Sequence, residues 1–175
     1  MKETEKKDAC MTAGITEEIH MAGNDILHSD VYLESKHHRH HFRTNVSDHS
    51  MRVAVASLKM CRFLERTGLK VDEKEMIRGA LLHDYFQYDL HDKSDHRYPH
   101  HIHFFCGLYH PGDAYRVASA RFDITPKEAD IITHHMWPLT VLPPHTLEGW
   151  VITLTDKYVS TIELMSADPK PVSLS

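Results

Sequence analysis

Apolar residues recur along this chain at steps of three and four, in blocks separated by Gly and Pro, and no stretch of useful length alternates with period two. From Asn45 or Ser47 to Thr67, the residues His49, Val53, Ala56, Met60 and Phe63 follow this spacing. The pattern predicts a helix with His49 on its apolar stripe, stopped by Gly68. Asp72 opens the next helix, with Glu75 three residues on as a capping box. Ile77, Ala80, Leu81 and Asp84 share its apolar face. A further helix starting near Gly112 or Asp113 is expected to bury Ala114, Val117 and Ala118. Thr125-Pro-Lys-Glu128 is a strong start signal, combining a cap, Pro in the first turn and Glu at the third position. Ile131, Ile132 and His135 then face one side.

Pro138, Pro143 and Pro144 break the chain before a last helix over 147–166. Trp150, Val151, Leu154 and Tyr158 make its broad apolar face, and Ile152, Asp156 and Val159 lie alongside. Thr16–Met21 reads as a short helix. Residues 1–14 read as a flexible charged leader, 85–109 as a long loop, and 167–175 as a frayed tail. The fold class is all-α: a single domain over 15–166, a bundle of about five to seven helices.

Composition narrows the functions open to such a bundle. With 175 residues and 41% hydrophobic positions the chain can build one real core. A formal net charge of -5 gives no general electrostatic reason to bind nucleic acid or an anionic membrane. Three widely spaced Cys (Cys10, Cys61, Cys106) make neither a disulfide framework nor a thiolate metal knuckle, which points to a reducing cytoplasm. No signal peptide or membrane span is visible. The outlier is the count of 17 His.

The chemistry centres on the dipeptide His83-Asp84, at the end of the apolar run Met76-Ile-Arg-Gly-Ala-Leu-Leu82. It offers one imidazole nitrogen and a carboxylate whose two oxygens can bridge two ions. Other potential ligands lie at helix-length intervals: His49, His110, His134, His135 and Asp156. Each has a bland reading, such as a hydrogen-bonded core His or a solvated Asp. A polar group on an apolar stripe nevertheless costs several kcal/mol, about 2–7, unless it is paired or bound to metal. Several helices placing such groups together argue for a metal site. Nitrogen and oxygen donors without thiolate argue against structural zinc and suit Mn, Fe, Co, Ni or catalytic Zn. A metal lowers the pKa of bound water to about 7, giving a hydroxide that can attack phosphorus.

The order His49 … His83-Asp84 … Asp156 resembles the HD-domain (His-Asp) metal-dependent phosphohydrolases over about residues 40–165. The stretches Val46-Ser-Asp-His49-Ser-Met-Arg-Val-Ala54, Ala80-Leu-Leu-His-Asp84 and Leu154-Thr-Asp-Lys157 carry the likeness. Leu82-His-Asp-Tyr-Phe-Gln-Tyr-Asp-Leu-His91, Tyr109-His-Pro-Gly-Asp-Ala114 and His135-Met-Trp-Pro-Leu139 further resemble a bacterial subgroup of small stand-alone HD proteins. The resemblance implies that His49, His83, Asp84 and Asp156 hold one metal. Asp84 then bridges to a second ion that His110 and His135 also bind. His134 competes with His135, and otherwise contacts substrate or a third metal.

Asp84 and Lys157 are the implied catalytic residues; Lys157 either supports the ligand or contacts phosphate, as in related proteins, or is a solvated helix lysine. His41, Arg52 and His91 are candidate substrate contacts; Arg52 faces either phosphate or solvent, and His91 and Asp89 either line the pocket or orient ligand imidazoles. Trp137 and Tyr88 are candidates for stacking on a base or for the core. The segment 96–103, with His100, His101 and His103, is richer in His than that subgroup leads one to expect. The signature of the cyclic dinucleotide phosphodiesterases is absent, because Met136-Trp-Pro-Leu follows His135.

The expected function is hydrolysis of a nucleotide or other small phosphate ester at a two-metal site using divalent transition ions. No specific nucleic acid and no membrane is expected as a partner. Two alternatives share the scaffold: a di-iron oxygenase, resembling myo-inositol oxygenase in ligand order, and a non-catalytic module that binds metal or nucleotide.

Overall fold

The computed structural model describes residues 2–37, 44–86 and 106–166. Among the described residues are seven α-helices, one short 3-10 turn (Ser35–His37) and no β-strand. The helices are α1 (Lys2–Leu27), α2 (Asp30–Glu34), α3 (Val46–Glu65), α4 (Glu73–Leu82), α5 (Cys106–Ser119), α6 (Pro126–His134) and α7 (Leu147–Met165). The described helices form an all-α bundle, as the periodicity predicted. No described helix is long and apolar enough to cross a membrane.

Local signals set most helix ends. Asn45 caps α3, its side chain accepting from the Asp48 N–H at 2.7 Å. Gly68, at φ 91°, ends that helix. Its N–H reaches the Glu65 carbonyl at 3.0 Å, and the Leu69 N–H reaches Leu64 at 3.4 Å, the Schellman pattern. Asp72 caps α4. Thr125 and Glu128 form a complete capping box at the start of α6.

Two boundaries differ from the sequence reading. The stretch read as a flexible leader is helical from Lys2. Residues 2–13 are rich in Lys, Glu and Ala and lack Gly and Pro. Downstream, Ile15 and Ile19 anchor the same helix in the core, and buried Ile26 follows a kink at Gly23. The second difference is α5, which begins at Cys106 and runs through Pro111, so His110 is helical. A Pro inside a helix forfeits one backbone bond, and burial of His110, Ala114 and Ala118 offsets that loss.

Helix α3 packs on α4 and α7, α4 on α6 and α1, and α6 on α5 and α7. The core holds Val53, Ala54, Leu58 and Cys61 of α3, Met76, Leu81 and Leu82 of α4, Ile131 and Ile132 of α6, and Val151 and Ile152 of α7. Gly79 lets α4 approach α6 closely, since a Cβ there would strike the Ile131 side chain. Arg78 ties three helices together, bonding Glu128 at 2.6 Å and Asp25 at 2.7 Å.

Two apolar stripes were misplaced by the pattern. In α3, Met60 and Phe63 are exposed, and the buried stripe turns through Ala54, Ser57, Leu58 and Cys61 instead. In α7, Leu154 and Tyr158 are 57% and 62% exposed, while Thr155, Asp156, Val159 and Glu163 point inward. The polar stripe of α7 wins the interior because charged and hydrogen-bonding partners on α3 wait there for it.

Candidate metal centre

The ends of α4 and α6 and the inner faces of α3, α5 and α7 converge on one buried spot. His49, His83, Asp84, His110, His135 and Asp156 are all buried there. His83 caps the C-terminal end of α4, and Asp84 follows it in the turn. His135 caps the end of α6. Two sets of ligand atoms cluster, His49–His83–Asp84 and Asp84–His110–His135, and Asp84 belongs to both.

Hydrogen bonds fix the tautomers of two rings. The Nδ1–H of His83 donates to the Ala80 carbonyl at 2.7 Å. The Nδ1–H of His135 donates to the Ile132 carbonyl at 2.9 Å. A carbonyl only accepts, so the Nε2 of each neutral ring carries a lone pair. His83 Nε2 makes no hydrogen bond among the described residues. It faces Asp84 Oδ2 at 3.4 Å and Asp156 Oδ1 at 3.8 Å. His135 Nε2 lies 3.6 Å from Asp84 Oδ1 and 2.9 Å from His110 Nε2. Lone pairs aimed at carboxylate oxygens in a buried space call for cations between them.

The spacings suit a divalent ion. Bonds of about 2.0–2.2 Å to nitrogen and oxygen place neighbouring ligands about 2.8–3.6 Å apart. The set around Asp84 Oδ1, His110 and His135 shows 2.9, 3.3 and 3.6 Å. Around the other set, His49 Nε2 lies 3.0 Å from Asp156 Oδ1.

Electrostatics point the same way. Burial disfavours a charge on His49, but Asp156 and Glu163 outweigh it and hold its pKa up at about 10. His135 behaves oppositely: burial, then the neighbouring His83 and His110, push its pKa down to about 3. Burial would raise the Asp156 pKa, but the hydrogen bond and charge of His49 outweigh it and lower it.

Among the other residues singled out by sequence, Lys157 hydrogen-bonds to backbone carbonyls. Its Nζ donates to the His135 carbonyl at 2.9 Å and to the Thr153 carbonyl at 3.4 Å. It therefore secures the end of α6 that carries His135, and burial lowers its pKa. Arg52 pairs with Glu163 at 2.8 Å. His134 points away from Asp84, toward Asp130 and His145. Trp137 packs edge-on against Trp150, ring centres 5.0 Å apart. His41, His91, Asp89, Tyr88 and the His-rich segment 96–103 lie outside the described residues.

Sequence reading missed Glu163. It is buried and accepts from His49 Nδ1 at 3.0 Å, Arg52 at 2.8 Å and the Thr44 hydroxyl at 3.3 Å. The available signal was its spacing, seven residues after Asp156 on the same helix face.

Residues 46–160 match the family model of the HD domain, and the chain belongs to that family. The match spans the elements that carry every ligand of the cluster. Membership places the chain in a superfamily of hydrolase type that binds divalent metals, and the His/Asp groups here could hold them. No curated protein and no solved structure matches the chain.

Proposed function

We propose that this protein is a phosphohydrolase that cleaves a nucleotide or other small phosphate ester at a two-metal centre. The observation that carries the reading is the position of Asp84, shared by two groups of ligand atoms within one buried cluster. His49, His83, Asp84 and Asp156 would hold one ion; Asp84, His110 and His135 would hold the other. Divalent ions bound there would supply Lewis acidity, acidifying water and neutralising phosphate oxygens.

The chain's own groups have separate tasks. Glu163 orients His49 through Nδ1. The Ala80 and Ile132 carbonyls orient His83 and His135, keeping each Nε2 toward the carboxylates. Lys157 holds the His135 backbone, which makes it a positioning group in this reading. Arg52, paired with Glu163, supports the same imidazole from behind.

The test is metal-stripped protein given back Mn, Fe, Co, Ni, Zn or Mg, assayed against phosphomonoesters, cyclic phosphates and nucleotides, with and without oxygen. Oxygen-independent release of phosphate or nucleoside with at least one metal is expected. Asp84→Ala should lose the central ions and the activity together. Full activity in that variant, or turnover only with oxygen, overturns the reading.

A further inference from the structure

A second cluster of metal-binding side chains lies outside the centre: Asp130, His134 and His145. Asp130 and His134 sit one turn apart on α6, and His145 precedes the Thr146 cap of α7. One ligand atom from each lies within 4.8 Å of the others. The Nδ1 atoms of both imidazoles lie 3.0 Å from one oxygen, Asp130 Oδ1. The ring centres are 5.0 Å apart.

The carboxylate is set in place before any ligand arrives. Asp130 Oδ2 accepts from the Thr146 N–H at 2.9 Å and its hydroxyl at 2.6 Å. The His145 N–H lies 3.1 Å from both oxygens. These bonds outweigh the opposing effect of burial and keep Asp130 ionised. Its Oδ1 is thereby turned toward two imidazoles. His134 Nδ1 also lies 3.1 Å from the Asp130 carbonyl and 3.1 Å from the Thr133 hydroxyl.

We propose that Asp130, His134 and His145 form a peripheral site for one divalent cation of the zinc or nickel class. Bonds of about 2.0–2.2 Å to such an ion set neighbouring donors about 2.8–3.6 Å apart, the lower end for six-coordinate and the upper for tetrahedral geometry. Both nitrogen-to-oxygen spacings, 3.0 Å, fall within that range. Two imidazoles and one carboxylate suit a borderline ion better than calcium or magnesium. Without an ion the Nδ1–H of each ring faces oxygen acceptors, Asp130 Oδ1 for both and the Asp130 carbonyl as well for His134; binding exchanges these contacts for metal bonds, the proton moving to Nε2. Water fills the remaining positions from an adjoining cleft of about 360 Å3, which Pro126, Ala129 and Lys127 also line. The Lys127 ammonium is held by Glu148 at 2.9 Å. The ion would clamp the segment before α7 to α6, one residue from His135.

The test counts ions in the full, metal-stripped chain. Zn2+ is titrated into the wild type and into His145→Ala, and bound metal is measured after dialysis. The His145 side chain is 66% exposed, so its removal spares the core. The wild type should hold one zinc equivalent more than His145→Ala. His134→Asn should lose the same equivalent, without a further loss in the double variant. Asp84→Ala should keep this ion, which separates the test from the fate of the central site. Equal zinc content in the wild type and His145→Ala, in both the native and Asp84→Ala backgrounds, overturns the proposal.

Discussion

Glu163 illustrates how one residue sets the chemistry of another. His49 has a carboxylate on each ring nitrogen, Glu163 on Nδ1 and Asp156 on Nε2. In the metal-free protein the ring is therefore charged at neutral pH, its pKa near 10. A cation entering between Nε2 and Asp156 replaces the proton on that side, while Glu163 keeps the proton on the other. Replacing Glu163 with Gln leaves a single oxygen to serve both His49 and Arg52. Glu163→Gln should weaken metal binding about 10- to 100-fold, the usual cost of losing a group that orients a ligand. Metal titration without substrate reads this directly, and unchanged affinity refutes the role. His49, His83, Asp84, His135 and Asp156 were legible as candidate donors because they stand on or beside apolar helical runs, whereas His110, at the edge of a stretch read as a loop, was assigned to the set by the family resemblance. Glu163 was not, because a Glu near a helix end reads as solvated until α3 is seen to cover it.

Among the elements, α4 carries the densest information. It begins at a cap that sequence announces and ends at His83-Asp84. Its contact with α6 depends on Gly79, under the Ile131 side chain. Gly79→Ala gains helix propensity but forces overpacking, which typically costs about 1–3 kcal/mol. Denaturant unfolding should show a net loss; a more stable variant would mean that the two helices part freely.

The start of α7 is tied to α4 as well, because Glu148 accepts from the Asp72 N–H and from Lys127. Burial opposes the charge on Glu148, but these bonds outweigh it and lower its pKa from 4.5. The stabilisation is thus complete above the unfolded value of 4.5 and fades as pH falls toward the folded one. Glu148→Gln should be less stable at neutral pH and lose less stability on acidification below about pH 4.5, in urea melts across that range. Equal acid sensitivity would deny Glu148 its share. Capping chemistry was readable for α3, α4 and α6 because caps are local. The inward faces of α3 and α7 were not, because periodicity counts hydrophobicity and cannot see a buried ion-pair partner.

At the scale of the whole molecule, five helices contribute to a cluster with negative and lone-pair groups facing each other. Ions that bind this arrangement and not the unfolded chain must stabilise the fold. At one hundred times the dissociation constant the gain is about 2.7 kcal/mol. The melting temperature should therefore rise with added Mn2+ or Zn2+, and Asp84→Ala should blunt the response. A wild-type melting curve indifferent to metal would argue against the centre.

The sequence by itself determined the helical class, most helix starts and the set of imidazoles and carboxylates, because capping, periodicity and polar residues on apolar stripes are encoded over a few neighbours. The tertiary structure decided that His135 faces Asp84 while His134 turns to Asp130 and His145. It also set Lys157 on a backbone carbonyl and Glu163 behind His49. Those outcomes depend on how helices far apart in the chain are rotated against one another, which is a property of packing and not of any local run of residues.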